Sequence, residues 1–249
     1  MDLRFGIMVH YNECNRKHQG IFLMKKCLLI GCSNGKKIHE DFSKVFGSKN
    51  IEWINLSKAA MGNRYITSRL FEYVDDIGTP DYVYLQYSGL SRIDLPFDIK
   101  VTIPDYDYQI KTNKRTWVAS GGRNGSWLNC DMLKRLFAYM YDITSDKDHY
   151  DLSLHEIFRG IELCKTLGIP YNWSSFYDYT NPPNFIDGNN TINGGSVDRL
   201  PDYIDMSNHI GEYPLNLAYE LGDIPDDGVH YSRSIGEQYL TRNMNKFNL

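Results

Sequence analysis

From residue 26 onward, the apolar positions alternate between strand-like and helix-like runs. Lys26–Cys32 is a nearly unbroken apolar run, the pattern of a strand covered on both faces. Within Lys37–Phe46, Ile38, Phe42, Val45 and Phe46 recur close to helical spacing, and Gly47 closes that helix. Ile51–Leu56 alternates as a second strand. Arg64–Ile77 then sets Ile66, Leu70, Tyr73, Val74 and Ile77 on one helical face, with Gly78 and Pro80 as stops. Asp81–Tyr87 is a third buried strand. Strands alternating with helices at this spacing predict an α/β fold: a mostly parallel, doubly wound, flavodoxin-like sheet in three layers.

The rhythm breaks over residues 94–126, where Pro96, Pro104, alternating Tyr and Asp, and Gly121-Gly122-Arg123-Asn124-Gly125 predict an inserted loop or hairpin. Two helices follow near Asn129–Ile143 and Leu152–Leu167, then a strand over Ile169–Tyr177. Residues 178–208, rich in Asn, Asp, Gly and Pro, read as another long connection, and Ser232–Asn245 as a last amphipathic helix. Residues 1–23 show no period and are either a peripheral arm or lie before a true start at Met24. With no repeat and no second hydrophobic unit, residues 24–249 read as a single domain carrying insertions near 94–126 and 178–208.

Composition narrows the function classes. A formal charge of −4 lacks the basic face of an electrostatically driven nucleic-acid binder. No apolar run approaches the ~20 residues of a membrane-spanning helix, and no secretory signal is visible, which points to a cytoplasmic or virion-associated protein. Five irregularly spaced cysteines argue against a disulfide framework. Cys14-x3-His18 has no companion pair, so no metal site is expected, and nothing calls for a cofactor. Nineteen Tyr and four Trp suit either exposed recognition surfaces, sugar-binding ones included, or Tyr-rich core edges.

Three loops carry the candidate chemistry, because ligands in open α/β sheets bind beyond the carboxyl ends of the strands. Gly31-Cys32-Ser33-Asn34-Gly35 follows the first strand. A Ser there either exposes a nucleophilic hydroxyl or caps the next helix. Cys32 has no catalytic-cysteine context and reads as a small buried residue. Asp226-Asp227-Gly228-Val229-His230-Tyr231-Ser232 precedes the last helix. Its three-residue spacing lets a carboxylate orient an imidazole, or makes a plain turn with a surface His. Gly121–Gly125 lacks the Lys-Ser/Thr of a phosphate loop.

Ser33 after the first strand, Gly62 after the second, Gly89-Leu90-Ser91-Arg92 after the third and Asp227-x-x-His230 before the last helix stand in the order of the SGNH (GDSL-type) hydrolases. The chain resembles that family over roughly residues 26–92 and 222–246, and most of all its divergent members in phage and marine viruses. The resemblance implies an SGNH hydrolase-like fold, Ser33 as nucleophile, His230 as its base and Asp227 as the carboxylate holding His230. It also implies an oxyanion hole from the backbone N–H groups of Ser33 and Gly62. Two departures stand out: Gly-Asp-Ser-Leu becomes Gly31-Cys32-Ser33-Asn34, and Gly-x-Asn-Asp becomes Gly89-Leu90-Ser91-Arg92. Ser91 is shorter than the usual Asn donor, and Asn63 or Arg92 are the candidates to replace it, Arg92 also as a substrate contact.

The implied activity is a serine esterase acting on a small-molecule or glycan ester, with O-acetyl groups on carbohydrate as the expected class. The rival is a non-catalytic protein of the same fold that binds glycans or serves as a virion component. A lipase-like thioesterase is a third reading, and it requires an apolar acyl channel.

Overall fold

The computed structural model describes residues 24–47, 49–98, 109–120, 130–182, 186–187, 190–191, 195–223 and 230–249. The expected leader (1–23, with Cys14 and His18), the Gly121–Gly125 run and Asp227 lie outside the described residues.

The core is a four-stranded parallel sheet of β1 (Lys25–Gly31), β2 (Ile51–Asn55), β3 (Tyr82–Tyr87) and, later in the chain, a strand over Tyr171–Ser175. Between them come α1 (Ser33–Val45) and α2 (Asn63–Ile77). The insertion supplies β4 (Asp94–Asp98), β5 (Gln109–Lys111), β6 (Arg115–Ala119) and α3 (Asp131–Ile143). Then follow α4 (Asp146–Thr166), the fourth core strand β7 (Tyr171–Ser175), and two-residue strands β8 (Ile186–Asp187) and β9 (Asn190–Thr191). The chain ends with α5 (Pro214–Glu220), α6 (Arg233–Arg242) and a 3-10 turn at Met244–Lys246. The order β2-β1-β3-β7 is that of a flavodoxin-like doubly wound sheet, as the hydrophobic pattern predicts.

Every residue of β3 is buried, because helices cover both faces of the sheet. On one face α1 packs on α6. There Phe42 meets Tyr84 at 5.2 Å between rings, and the Tyr84 hydroxyl bonds Ser174 (2.6 Å) and Tyr239 (3.3 Å). On the other face α2 packs on α4, with the Thr67 hydroxyl donating to the Glu156 carbonyl (2.7 Å). The β7 edge is covered by the chain near 205–210. Trp173 N–H donates to the Asn208 carbonyl, and Ile210 N–H to that of Trp173.

The insertion is more than a loop or hairpin. β4, β6 and β5 form an antiparallel sheet, and α3 lies against it over Ile93, Val118, Leu133, Phe137 and Tyr141. This is a second, smaller hydrophobic cluster that the sequence pattern did not reveal. Pro96 reads as a breaker, yet β4 is an edge strand, where a missing N–H costs no ladder bond.

The tyrosines are mainly core residues. Among the described residues eleven of sixteen are buried, and their hydroxyls tie separate segments together: Tyr82 to Asn172, Tyr141 to the Ser91 carbonyl, Tyr177 to the Gly195 carbonyl, Tyr179 to the Ser88 carbonyl. Of the two readings of the aromatic content, the core reading describes these eleven. Among the described residues, no helix is long and apolar enough to cross a membrane.

Candidate active site

Strand order reverses between β1 and β3, and a doubly wound sheet opens its ligand crevice beyond the strand ends at such a point. Ser33 sits there as the first residue of α1, directly after β1. The flanking glycines allow the tight entry. A Cβ on Gly35 would lie 2.6 Å from Gln86 Oε1, and one on Gly31 would lie 3.2 Å from the Gln86 carbonyl. The run Gly31-Cys32-Ser33-Asn34-Gly35 is thus shaped by the close approach of α1 to β3. Ser33 is no helix cap; that position belongs to Cys32, which is fully buried.

His230 arrives from a segment 197 residues away, and its Nε2 lies 3.0 Å from Ser33 Oγ. Both side chains are half-buried, so a ligand can reach them. Two adjoining contacts also hold this segment on α1. Tyr231, fully buried, donates its hydroxyl to the Asn34 carbonyl at 3.1 Å. Arg233 Nε lies 3.3 Å from Asp41 Oδ1, a buried carboxylate that also receives Lys44 at 2.7 Å. Residues 230, 231 and 233 therefore meet residues 33, 34 and 41 in sequence order along one helix.

A second Ser–His contact joins Ser57 to His39 Nδ1. Both residues are only 4% exposed, and burial pushes the His39 imidazole down to about 3. That ring stays neutral and sealed, and its pair serves packing. Of the two contacts, the Ser33–His230 pair is the one open to a ligand.

The other expected site residues are already engaged. The Gly62 N–H donates to Asp94 Oδ1 at 2.7 Å, and the Tyr65 N–H to Asp94 Oδ2 at 3.0 Å. Asp94, from β4, thus caps the N-terminus of α2, where backbone donors and the helix dipole favour an anion. A Gly62 Cβ would meet Asp94 Oδ2 at 2.8 Å, so this glycine admits the carboxylate. Burial raises the Asp94 carboxyl to about 6, although the two N–H bonds and the charges of Arg92 and Arg64 pull the other way. Asn63, 1% exposed, accepts from the Ser88 N–H (2.7 Å) and donates to the Ser88 carbonyl (3.4 Å). The Gly62 N–H and the Asn63 side chain, both expected at the oxyanion hole, are thus engaged by groups of the chain itself.

Ser91 is buried with its carbonyl taken by Tyr141, and Arg92 Nη1 donates to the Met61 carbonyl at 3.2 Å. Sequence reasoning missed Asp94, Asn34 and Tyr231 as parts of this region. Asn34 and Tyr231 stand next to the two recognised residues, which was their only signal. Among the described residues no cluster of three or more His, Cys, Asp or Glu could hold a metal, and Cys27, Cys32, Cys130 and Cys164 are free thiols.

No family model and no curated protein matches the chain. A solved structure of the psychrotrophic esterase EstA from Pseudoalteromonas sp., inhibited by monoethylphosphonate, is similar over 89% of this chain and 97% of that one. The identity is 12% and the TM-score 0.44, a likeness that carries no conclusion about the reaction.

Proposed function

We propose that this chain is a serine ester hydrolase with Ser33 as nucleophile. The supporting observation is the 3.0 Å approach of His230 Nε2 to Ser33 Oγ at the switch point of the sheet. His230 takes the Ser33 proton as the oxygen attacks the acyl carbon, then gives it to the departing alcohol oxygen. Water, deprotonated by His230, cleaves the acyl-serine and restores both residues. Asp227 is assigned to hold the ring. The oxyanion falls to the backbone N–H of Ser33, at the start of α1, where the helix dipole favours negative charge. Arg92 is the candidate contact to the substrate, and an O-acetylated carbohydrate is the class carried by the SGNH resemblance.

The engagement of Gly62 and Asn63 favours a second reading, a non-catalytic glycan-binding or virion protein of the same fold. A fluorophosphonate separates the two, since it reports an activated serine without assuming a substrate. Wild type is expected to label at Ser33, and Ser33→Ala and His230→Ala to lose labelling together with hydrolysis of acetyl esters and acetylated sugars. An unlabelled wild type with the ester activity of Ser33→Ala overturns the enzyme reading, and glycan binding by both proteins then establishes the second.

A further inference from the structure

Helix α3 is apolar on two sides. One side, Leu133, Phe137 and Tyr141, is buried against the inserted sheet. The other carries Met132, Leu136, Tyr139 and Ile143, spaced by four, three and four residues. These are 64%, 36%, 62% and 60% exposed and form one stripe along the whole helix. Single exposed apolar residues are ordinary, whereas a continuous row of four large ones marks an interaction surface. The stripe spans about 17 Å at 1.5 Å per residue.

Arg135 and Asp142 border the stripe on the same side, seven residues apart. Both are exposed, and neither finds an opposite charge among the described residues, whereas Asp131 on the same helix pairs with Lys134 at 3.5 Å. We propose that α3 is a dimer interface occupied by a second copy of this chain, its α3 lying antiparallel on the first. A two-fold axis between residues 138 and 139 brings Leu136 and Tyr139 of both copies to the centre. It also sets Arg135 of each copy beside Asp142 of the other, giving two equivalent ion pairs. A two-fold contact must be self-complementary, and opposite charges on one flank of an apolar stripe meet that condition. This surface is independent of how the Ser33 site is read.

Sedimentation of the full chain over micromolar concentrations tests the proposal, with a monomer–dimer equilibrium as the expected result. Leu136→Glu, and separately Tyr139→Ser, should give monomers with unchanged circular dichroism. Arg135→Asp and Asp142→Arg each place like charges together and should weaken the dimer roughly tenfold or more. Mixing these two single variants restores both ion pairs and should restore the dimer, as should the double variant. A wild type that stays monomeric overturns the proposal. So does a dimer indifferent to Leu136→Glu and Tyr139→Ser, or charge variants that fail to rescue one another.

Discussion

Tyr231→Phe isolates the brace between the two halves of the proposed site. The change removes one hydroxyl from a fully buried ring, and with it the 3.1 Å bond to the Asn34 carbonyl. A buried hydrogen bond of this kind contributes about 0.5–1.5 kcal/mol net. For a chain of this size that corresponds to a fall in Tm of roughly 1–6 °C. The effect on chemistry should be larger than the effect on stability. His230 is the next residue and must stay within about 3.2 Å of Ser33 Oγ to take its proton. A displacement of about 1 Å can cost roughly 100-fold in rate, so fluorophosphonate labelling and kcat should fall about 10- to 100-fold. KM should hold, because a fully buried ring touches no substrate. Tyr239→Phe is the matched control: it also removes a hydroxyl from a fully buried ring, one bonded to Tyr84 on the sheet face and away from Asn34. It should lower Tm similarly and leave labelling near wild type. Equal rate losses in the two variants, or undiminished labelling in Tyr231→Phe, would refute the brace.

Two further perturbations test the scaffold. Asp94 is raised from 3.8 to about 6 by burial, so the folded chain holds this proton to higher pH than the unfolded one. Its stabilising contribution is therefore present below the unfolded value and lost as pH rises through about 6. Urea unfolding should show the stability of wild type relative to Asp94→Asn shrinking between pH 4 and 6 by up to about 3 kcal/mol; a constant difference would place the carboxyl's proton affinity elsewhere. Gly160→Ala pits helix propensity, which favours Ala by about 1 kcal/mol, against a collision of the new Cβ with the Tyr87 hydroxyl and Thr67 Oγ1. Overpacking at a helix–sheet contact costs about 1–3 kcal/mol, so net destabilisation is expected, and a raised melting temperature would show that α4 can shift.

The elements read correctly from the sequence are those with an unbroken pattern. β1 and β3 are continuous apolar runs, and α2 keeps its period from Ile66 to Ile77, so each lies within a residue or so of its expected bounds. Expected at Lys37, α1 begins at Ser33 because its first turn carries no periodic apolar residue and includes a glycine kept for its closeness to Gln86. α4 begins at Asp146 rather than Leu152. Its start was legible in Ser145-x-x-Asp148, whose side chains and backbone N–H groups bond reciprocally as a capping box. α5 has seven residues, too few to display a period, although Pro214 marks its first turn.

The candidate site divides along a different line. Ser33 and His230 could be named because, with Gly62 and Gly89–Arg92, they stand in the block order of the SGNH hydrolases that the chain resembles. Alone, the first also reads as a helix cap and the second as a surface His. What holds them together is ordinary: a carbonyl on Asn34, a hydroxyl on Tyr231, and a carboxylate on Asp41 reaching Arg233 across 192 residues. The same applies to Gly62 and Asn63. Their types fit an oxyanion hole, but a carboxylate 32 residues further on claims one N–H, and the Ser88 backbone claims the amide. Donor identity is written in sequence, whereas donor availability depends on which buried acceptor arrives first. Here the acceptor belongs to the inserted unit. Asp94 therefore ties that unit to α2 at a buried carboxylate, where breaking either N–H bond leaves a charge or a donor unpaired. An insertion fastened in this way behaves as part of the site's framework, and changes in β4 should be felt at the N-terminus of α2 before they are felt at Ser33.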